Sequence, residues 1–136
     1  MNTIEKHLTE LCKKAIGEVS SEYWENISIN ITAIRKFVEV KAFYEEKGNF
    51  ISFGSDVAFE ALKLREEMYK LSPEKGAWFS VFLTIESNGQ FHTHFEYDEK
   101  PKFDIEPSKE KYIDDLKTFP REEHLISQWL KDIINS

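Results

Sequence analysis

Two runs of β-branched and aromatic residues, Ala77 to Glu86 and Gln90 to Tyr97, flank a turn at Ser87, Asn88 and Gly89. Such runs on either side of a glycine-containing turn specify an antiparallel hairpin, and the two-residue period of strand side chains lets its register be derived. A two-residue turn at Asn88 and Gly89 would set Val81, Leu83 and Ile85 beside Glu96, His94 and His92, mixing core with charge on one face. A three-residue loop with Gly89 in the left-handed position of a bulge moves the pairing by one. Phe79, Val81, Leu83 and Ile85 then share a face with Phe91, Thr93, Phe95 and Tyr97. Trp78, Phe82, Thr84 and Glu86 share the other with His92, His94 and Glu96. The second register is the one expected.

The rest of the chain supplies partners for this hairpin. Residues 2 to 20 carry Ile4, Leu8, Leu11, Cys12, Ala15, Ile16 and Val19 at helical spacing, with Asn2 as N-cap and Glu5 as its reciprocal acid. From Trp24 the period becomes two, with Ile27, Ile29 and Ile31 opposite Ser28, Asn30 and Thr32. Phe37 to Tyr44 alternates again after a break at Arg35 and Lys36, with apolar residues on both faces. A charged turn centred on Gly48 leads to a short strand, Phe50 to Phe53. Ser55 and Asp56 are good N-cap types ahead of a helix running from Val57 to about Leu71. Beyond the hairpin, Asp98 to Pro107 is a charged connector whose Phe103 and Ile105 are expected to dock back on the body. Ser108 begins a short helix carrying Tyr112, Ile113 and Leu116, which Phe119 and Pro120 interrupt. A last helix is expected from about Arg121 to Asn135. The order is α-β-β-β-α-β-β-α-α. The expected fold class is α+β: one antiparallel sheet of about five strands with N-terminal, central and C-terminal helices on one face. At 136 residues, without an internal repeat or long linker, residues 1–136 are expected to form a single domain.

Composition narrows function mainly by exclusion. The formal net charge of −7 has the wrong sign for holding a phosphate backbone, so direct nucleic-acid binding is not expected. No stretch approaches the roughly 20 apolar residues that span a bilayer, and the N-terminus is not a signal peptide, so no membrane partner is expected. One cysteine, Cys12, rules out an intramolecular disulfide and fits a reducing, cytoplasmic location.

Catalytic signatures are absent. Cys12 lies on an apolar helical stripe, where a buried thiol accounts for it, and there is no Gly-x-Ser-x-Gly turn. The glycines are isolated, so no phosphate-cradling loop exists. His92 and His94 point to one face about 6 to 7 Å apart. A metal site needs three or four converging ligands, and two histidines on a solvated strand satisfy the same pattern. Neither an enzyme, a metal nor a cofactor is expected, and no oligomeric state follows from these residues.

Charge distribution is more informative. Glu96 to Glu123 holds ten acids against six bases, so more than half the net charge lies in about a fifth of the chain. Solubility accounts for part of this. The sharper reading is an acidic surface that steers a basic protein partner. Trp24, Trp78 and Phe82 are candidate anchors, with core packing as their other reading.

Trp78-Phe79 to Ile85, the Asn88-Gly89 turn, Phe91 to Tyr97-Asp98, Pro101 and Phe103, then Tyr112-Ile113-Asp114-Asp115-Leu116 and Phe119-Pro120-Arg121 before Trp129, form a run of motifs. This segment resembles the YezG-like immunity protein family, cytoplasmic antitoxins that neutralise secreted bacterial polymorphic toxins, typically nucleases. The resemblance spans roughly Trp78 to Trp129; the N-terminal half agrees only in helix-then-strands order. It implies function by binding, without catalysis or cofactor, the partner being a cognate toxin with a basic nuclease domain. The expected partner-binding surface combines the sheet face carrying Glu86, His92, His94 and Glu96 with the connector acids Asp98, Asp104 and Glu106. Asp114 and Asp115 are expected as outer steering charges. The alternative is a type III-class secretion chaperone, which has a similar element order and binds an extended effector segment.

Overall fold

Amphipathic segments can bury their apolar sides only against one another, and here they do so around a single antiparallel sheet. The structure, a computed structural model, describes residues 2–136. Its elements are α1 (Thr3–Glu18), β1 (Asn26–Ile34), β2 (Phe37–Glu46), β3 (Asn49–Phe53), α2 (Ala58–Leu71), β4 (Ser80–Glu86), β5 (Phe91–Glu96), α3 (Lys109–Thr118) and α4 (Gln128–Ile134), with 3-10 turns at Pro73–Lys75 and Glu123–Leu125. The fold is α+β and the element order is the one expected. Strand order across the sheet is β3-β2-β1-β4-β5. The strand first in sequence is therefore central, paired with β2 on one side and with β4 on the other.

The alternation in β1 decides which face is covered. Ile27, Ile29, Ile31 and Ala33 are fully buried, beside Ala42 and Tyr44 of β2 and Val81, Leu83 and Ile85 of β4. Leu8, Leu11, Cys12 and Ala15 of α1 and Ala61 and Leu64 of α2 close over them. Each fully buried isoleucine in this layer contributes about 1.5–3 kcal/mol relative to exposure. α1 starts as expected, with the Asn2 side chain accepting from the Glu5 amide at 2.8 Å.

The hairpin register is the derived one: Val81 faces Phe95, Phe82 faces His94 and Thr84 faces His92. Glu86 and Gln90 close a three-residue loop through the Glu86 amide, 2.8 Å from the Gln90 carbonyl, with Gly89 at φ 90. The two residues ahead of Ser80 depart from the alternation. Trp78 lies in the main core against Phe95, whereas Phe79 belongs to a second cluster with Ile34, Tyr112 and Leu130. Phe79 is already bonded to both neighbouring strands, its amide donating to the Glu96 carbonyl at 2.8 Å and its carbonyl accepting from the Ala33 amide at 2.9 Å. Because Ser80 also pairs with Glu96, two residues of this strand meet one of β5, and the strict alternation breaks there as at a bulge.

That second cluster lies under α3 and α4, at the end of the sheet where Ile34 pairs with Phe37. Phe103 packs on Phe37 with ring centroids 5.2 Å apart, but Ile105 is exposed and docks nowhere. The C-terminal helix is shorter than its periodicity suggested. Arg121 donates to the Ala77 and Leu125 carbonyls, which holds residues 121 to 126 as an irregular bridge, and α4 begins only after Ser127. Ser55 and Asp56 do not cap α2. The Ser55 hydroxyl and Asp56 amide instead donate to the Glu18 carboxylate at the end of α1, each at 2.6 Å.

Candidate partner-binding face

The sheet face opposite α1 and α2 follows directly from the register. Across its middle run Lys41, Asn30, Phe82 and His94, flanked on one side by Phe43, Ser28, Thr84 and His92, and on the other by Glu39, Thr32, Ser80 and Glu96. Among the described residues no helix covers this middle, and Phe82 stands in it 44% exposed. The His94 imidazole stacks on the Phe82 ring, centroids 6.0 Å apart and planes at 22°. An exposed aromatic in a polar field has the composition of an interface centre, because a rigid ring supplies contact area at small entropic cost.

Beside Phe82 lies a groove of about 390 Å³, walled on one side by the strap of chain that follows β5. Its charged lining is balanced: Glu39, Glu96 and Glu99 against Lys41, Lys100 and Lys102. The strap is tied across the sheet by Asp104, whose carboxylate meets Lys41 at 2.7 Å, while the amides of Asp104 and Ile105 donate to Glu39 at 2.7 and 3.0 Å.

The nine residues expected in a partner surface divide accordingly. Glu86, His92 and His94 share the open face; His92 Nε2 is 3.6 Å from the Glu86 carboxylate and His94 Nε2 is 3.5 Å from that of Glu96. Glu96 also accepts from the amide of Asp98 at 3.3 Å and that of Glu99 at 3.5 Å. Chiefly the Asp98 amide, then the Glu99 amide and His94, hold its carboxyl below the ordinary range. It thus caps the turn into the strap as well as lining the groove. Asp98 is exposed, and its carbonyl accepts from Ser127 and from the Trp129 indole. Asp104 and Glu106 are exposed but already matched within the chain, by Lys41 and Lys100 respectively, and Glu106 also accepts from Tyr112 at 2.9 Å.

Asp114 is exposed, and both of its carboxylate oxygens accept from the single Arg35 Nη1, at 2.8 and 2.9 Å. Asp115 is not a steering charge. It is buried beneath α3, where its carboxylate binds the buried Arg65 guanidinium and the Arg35 amide. The next residue along a helix points about 100° away, so one of two adjacent acids faces solvent and the other the core.

The sequence reading missed Lys41, Glu39, Phe43, Lys100 and Lys102 as parts of this face. β2 carries apolar residues on both sides, so its alternation did not reveal which side stays open. Of the candidate anchors, Trp78 is fully buried and Trp24 packs against the core, leaving Phe82 on the surface. Among the described residues no three His, Cys, Asp or Glu side chains converge to hold a metal ion, and no helix is long and apolar enough to cross a membrane. No family model matches the chain, and no curated protein sequence matches it.

Proposed function

We propose that this chain is a cytoplasmic immunity protein of the YezG-like kind, which binds a cognate secreted toxin and blocks it by occupying the toxin's surface. The toxin is a protein with a basic, nuclease-type domain, and binding requires no cofactor or catalytic step. The observation that carries the reading is Phe82, 44% exposed in the middle of the sheet face between Asn30 and His94, with Lys41, His92 and Glu86 further out on the same face. The net charge of −7 supports it through long-range attraction of a basic partner. Because Asp104, Glu106 and Asp114 are matched by cations of the same chain, the contact energy is assigned to the aromatic centre and the acidic total chiefly to association rate.

The test is co-expression with the product of the neighbouring gene, followed by copurification and a killing assay. The neighbour's C-terminal domain should kill cells only when this protein is absent, and the two should form a stoichiometric complex. Phe82→Lys should weaken that complex by about 2 kcal/mol or more, as removal of a central anchor does, without changing the protein's own melting temperature. A neighbour that is harmless alone, and is held only through an extended segment, would overturn the reading in favour of a secretion chaperone. A toxin affinity unchanged by Phe82→Lys would place the contact elsewhere.

A further inference from the structure

The sheet has two edges, β3 and β5, and they are protected differently. β5 carries His92, His94 and Glu96 among its six residues. β3, the segment Asn49–Phe53, has no charge and no proline, and its Phe50 and Ile51 are 70% and 37% exposed. An exposed apolar edge without such blocking residues is a template for another strand.

The turn before β3 defines which of its backbone groups are free. Lys47 and Gly48 form a two-residue connection with φ 52 and 78, both left-handed, the type I′ geometry. The residues flanking such a turn, Glu46 and Asn49, exchange hydrogen bonds, and the ladder then alternates. Ile51 and Phe53 therefore turn their amides and carbonyls toward β2, while Phe50 and Ser52 turn theirs outward. An added antiparallel strand must present its own outward pair to Phe50 and Ser52.

A second copy of β3 meets that requirement. With a two-fold axis at Ile51, Phe50 of each copy faces Ser52 of the other, so both outward pairs are satisfied by four main-chain hydrogen bonds. Ile51 then meets its equivalent at a non-hydrogen-bonded position, where side chains approach most closely. Gly48 falls opposite Gly54, which leaves room at both ends, and the nearest opposed like charges, Glu46 and Asp56, lie outside the paired segment. Pairing of β3 with β5 of another copy would be head-to-tail and would leave an edge open for continued addition. The two-fold arrangement closes on itself. We infer that β3 is a homodimerisation edge, through which two copies join their sheets antiparallel about Ile51. This inference is independent of the toxin-binding reading.

A five-residue edge falls below the roughly 1,000 Å² that a stable interface buries, so the dimer is a weak one that forms only as concentration rises. Sedimentation equilibrium over a concentration series tests it: the mass should double as concentration rises. Ile51→Lys should abolish the dimer while leaving the melting temperature near that of the wild type, since the position is already exposed. Register is read separately by oxidation. Ile51→Cys should cross-link to a covalent dimer, because opposed residues at that position lie within disulfide reach, and Cys12 is buried and does not compete. Asn49→Cys, four residues from its own symmetry mate along the strand, should not cross-link. A wild type that stays monomeric throughout, a dimer that survives Ile51→Lys, or equal cross-linking at Asn49→Cys would each overturn the proposal.

Discussion

Arg65 and Asp115, fifty positions apart in the chain, form a bidentate ion pair in which both side chains are buried, with nitrogen to oxygen distances of 2.5 and 3.0 Å. The pair joins α2 to α3. It also ties two loops, because Arg65 Nε donates to the Trp78 carbonyl and Asp115 accepts from the Arg35 amide that turns β1 into β2. The Arg65 guanidinium further lies against the rings of Phe79 and Phe119. The pair thus fastens α2, α3, the β1–β2 turn and the segment ahead of β4 to one another beside the second hydrophobic cluster.

Asp115→Ala should destabilise the fold by about 3–5 kcal/mol, because it leaves a buried guanidinium without its counter-charge. Asp114→Ala, one residue away at the surface, should cost no more than about 1 kcal/mol. Urea unfolding of the two variants measures the contrast; equal losses would mean that Asp115 is not the buried partner.

Gly76→Ala should cost about 1–3 kcal/mol from backbone alone, since Gly76 sits at φ 77 and ψ −174, a region essentially confined to glycine. The added carbon would also stand 2.6 Å from Arg121 Nε, displacing the side chain that holds the Ala77 carbonyl. Combining Gly76→Ala with Arg121→Ala should therefore cost less than the sum of the two single changes, a non-additivity that a double-mutant cycle by chemical denaturation reads directly.

Glu96 makes stability depend on acid. Its folded carboxyl titrates below the ordinary 4.5, so its contribution is fully present above that value and is lost as pH falls through the lower folded value. Glu96→Gln should be less stable than wild type at neutral pH, and the gap should close in strongly acidic solution. Denaturation curves taken from pH 7 downward through the acid range would show the gap narrowing below pH 4.5; a gap constant throughout would mean that the bonds to Asp98 and Glu99 do not depend on the ionised form.

Burial pushes the Cys12 thiol up to about 11, leaving almost no thiolate at neutral pH. A thiol reagent at pH 8 should label the folded protein far more slowly than the protein in urea. Rapid labelling of the folded chain would show that α1 opens from the sheet.

Local patterns carried much of this fold because they follow from periods the backbone imposes. The isoleucines at 27, 29 and 31 announced which side of β1 is buried, and the clash of Leu83 with His94 in the alternative register selected the three-residue hairpin. Where a side chain's fate depended on a neighbour distant in sequence, local reading stopped. Ser55 had the right chemistry for a cap, but Glu18 of another helix claimed it. The residues from Arg121 to Ile126 had an apolar helical spacing, but the Ala77 carbonyl drew Arg121 across the chain. In the candidate site, His92, His94 and Glu86 were legible from the hairpin alone, whereas Lys41 and Glu39 entered the same face only because β1 lies between β2 and β4.

The sequence by itself determined the element order, the hairpin register and the burial of Cys12, since each rests on side-chain period and turn chemistry within a few residues. Tertiary structure decided that Asp114 stays at the surface while Asp115 is buried, that Asp104, Glu106 and Asp114 are spent on Lys41, Lys100 and Arg35, and that Phe82 remains in the open. Apart from Lys100 and Glu106, six positions apart, these ion pairs join residues fifty to eighty positions apart, and no local period encodes which charges meet.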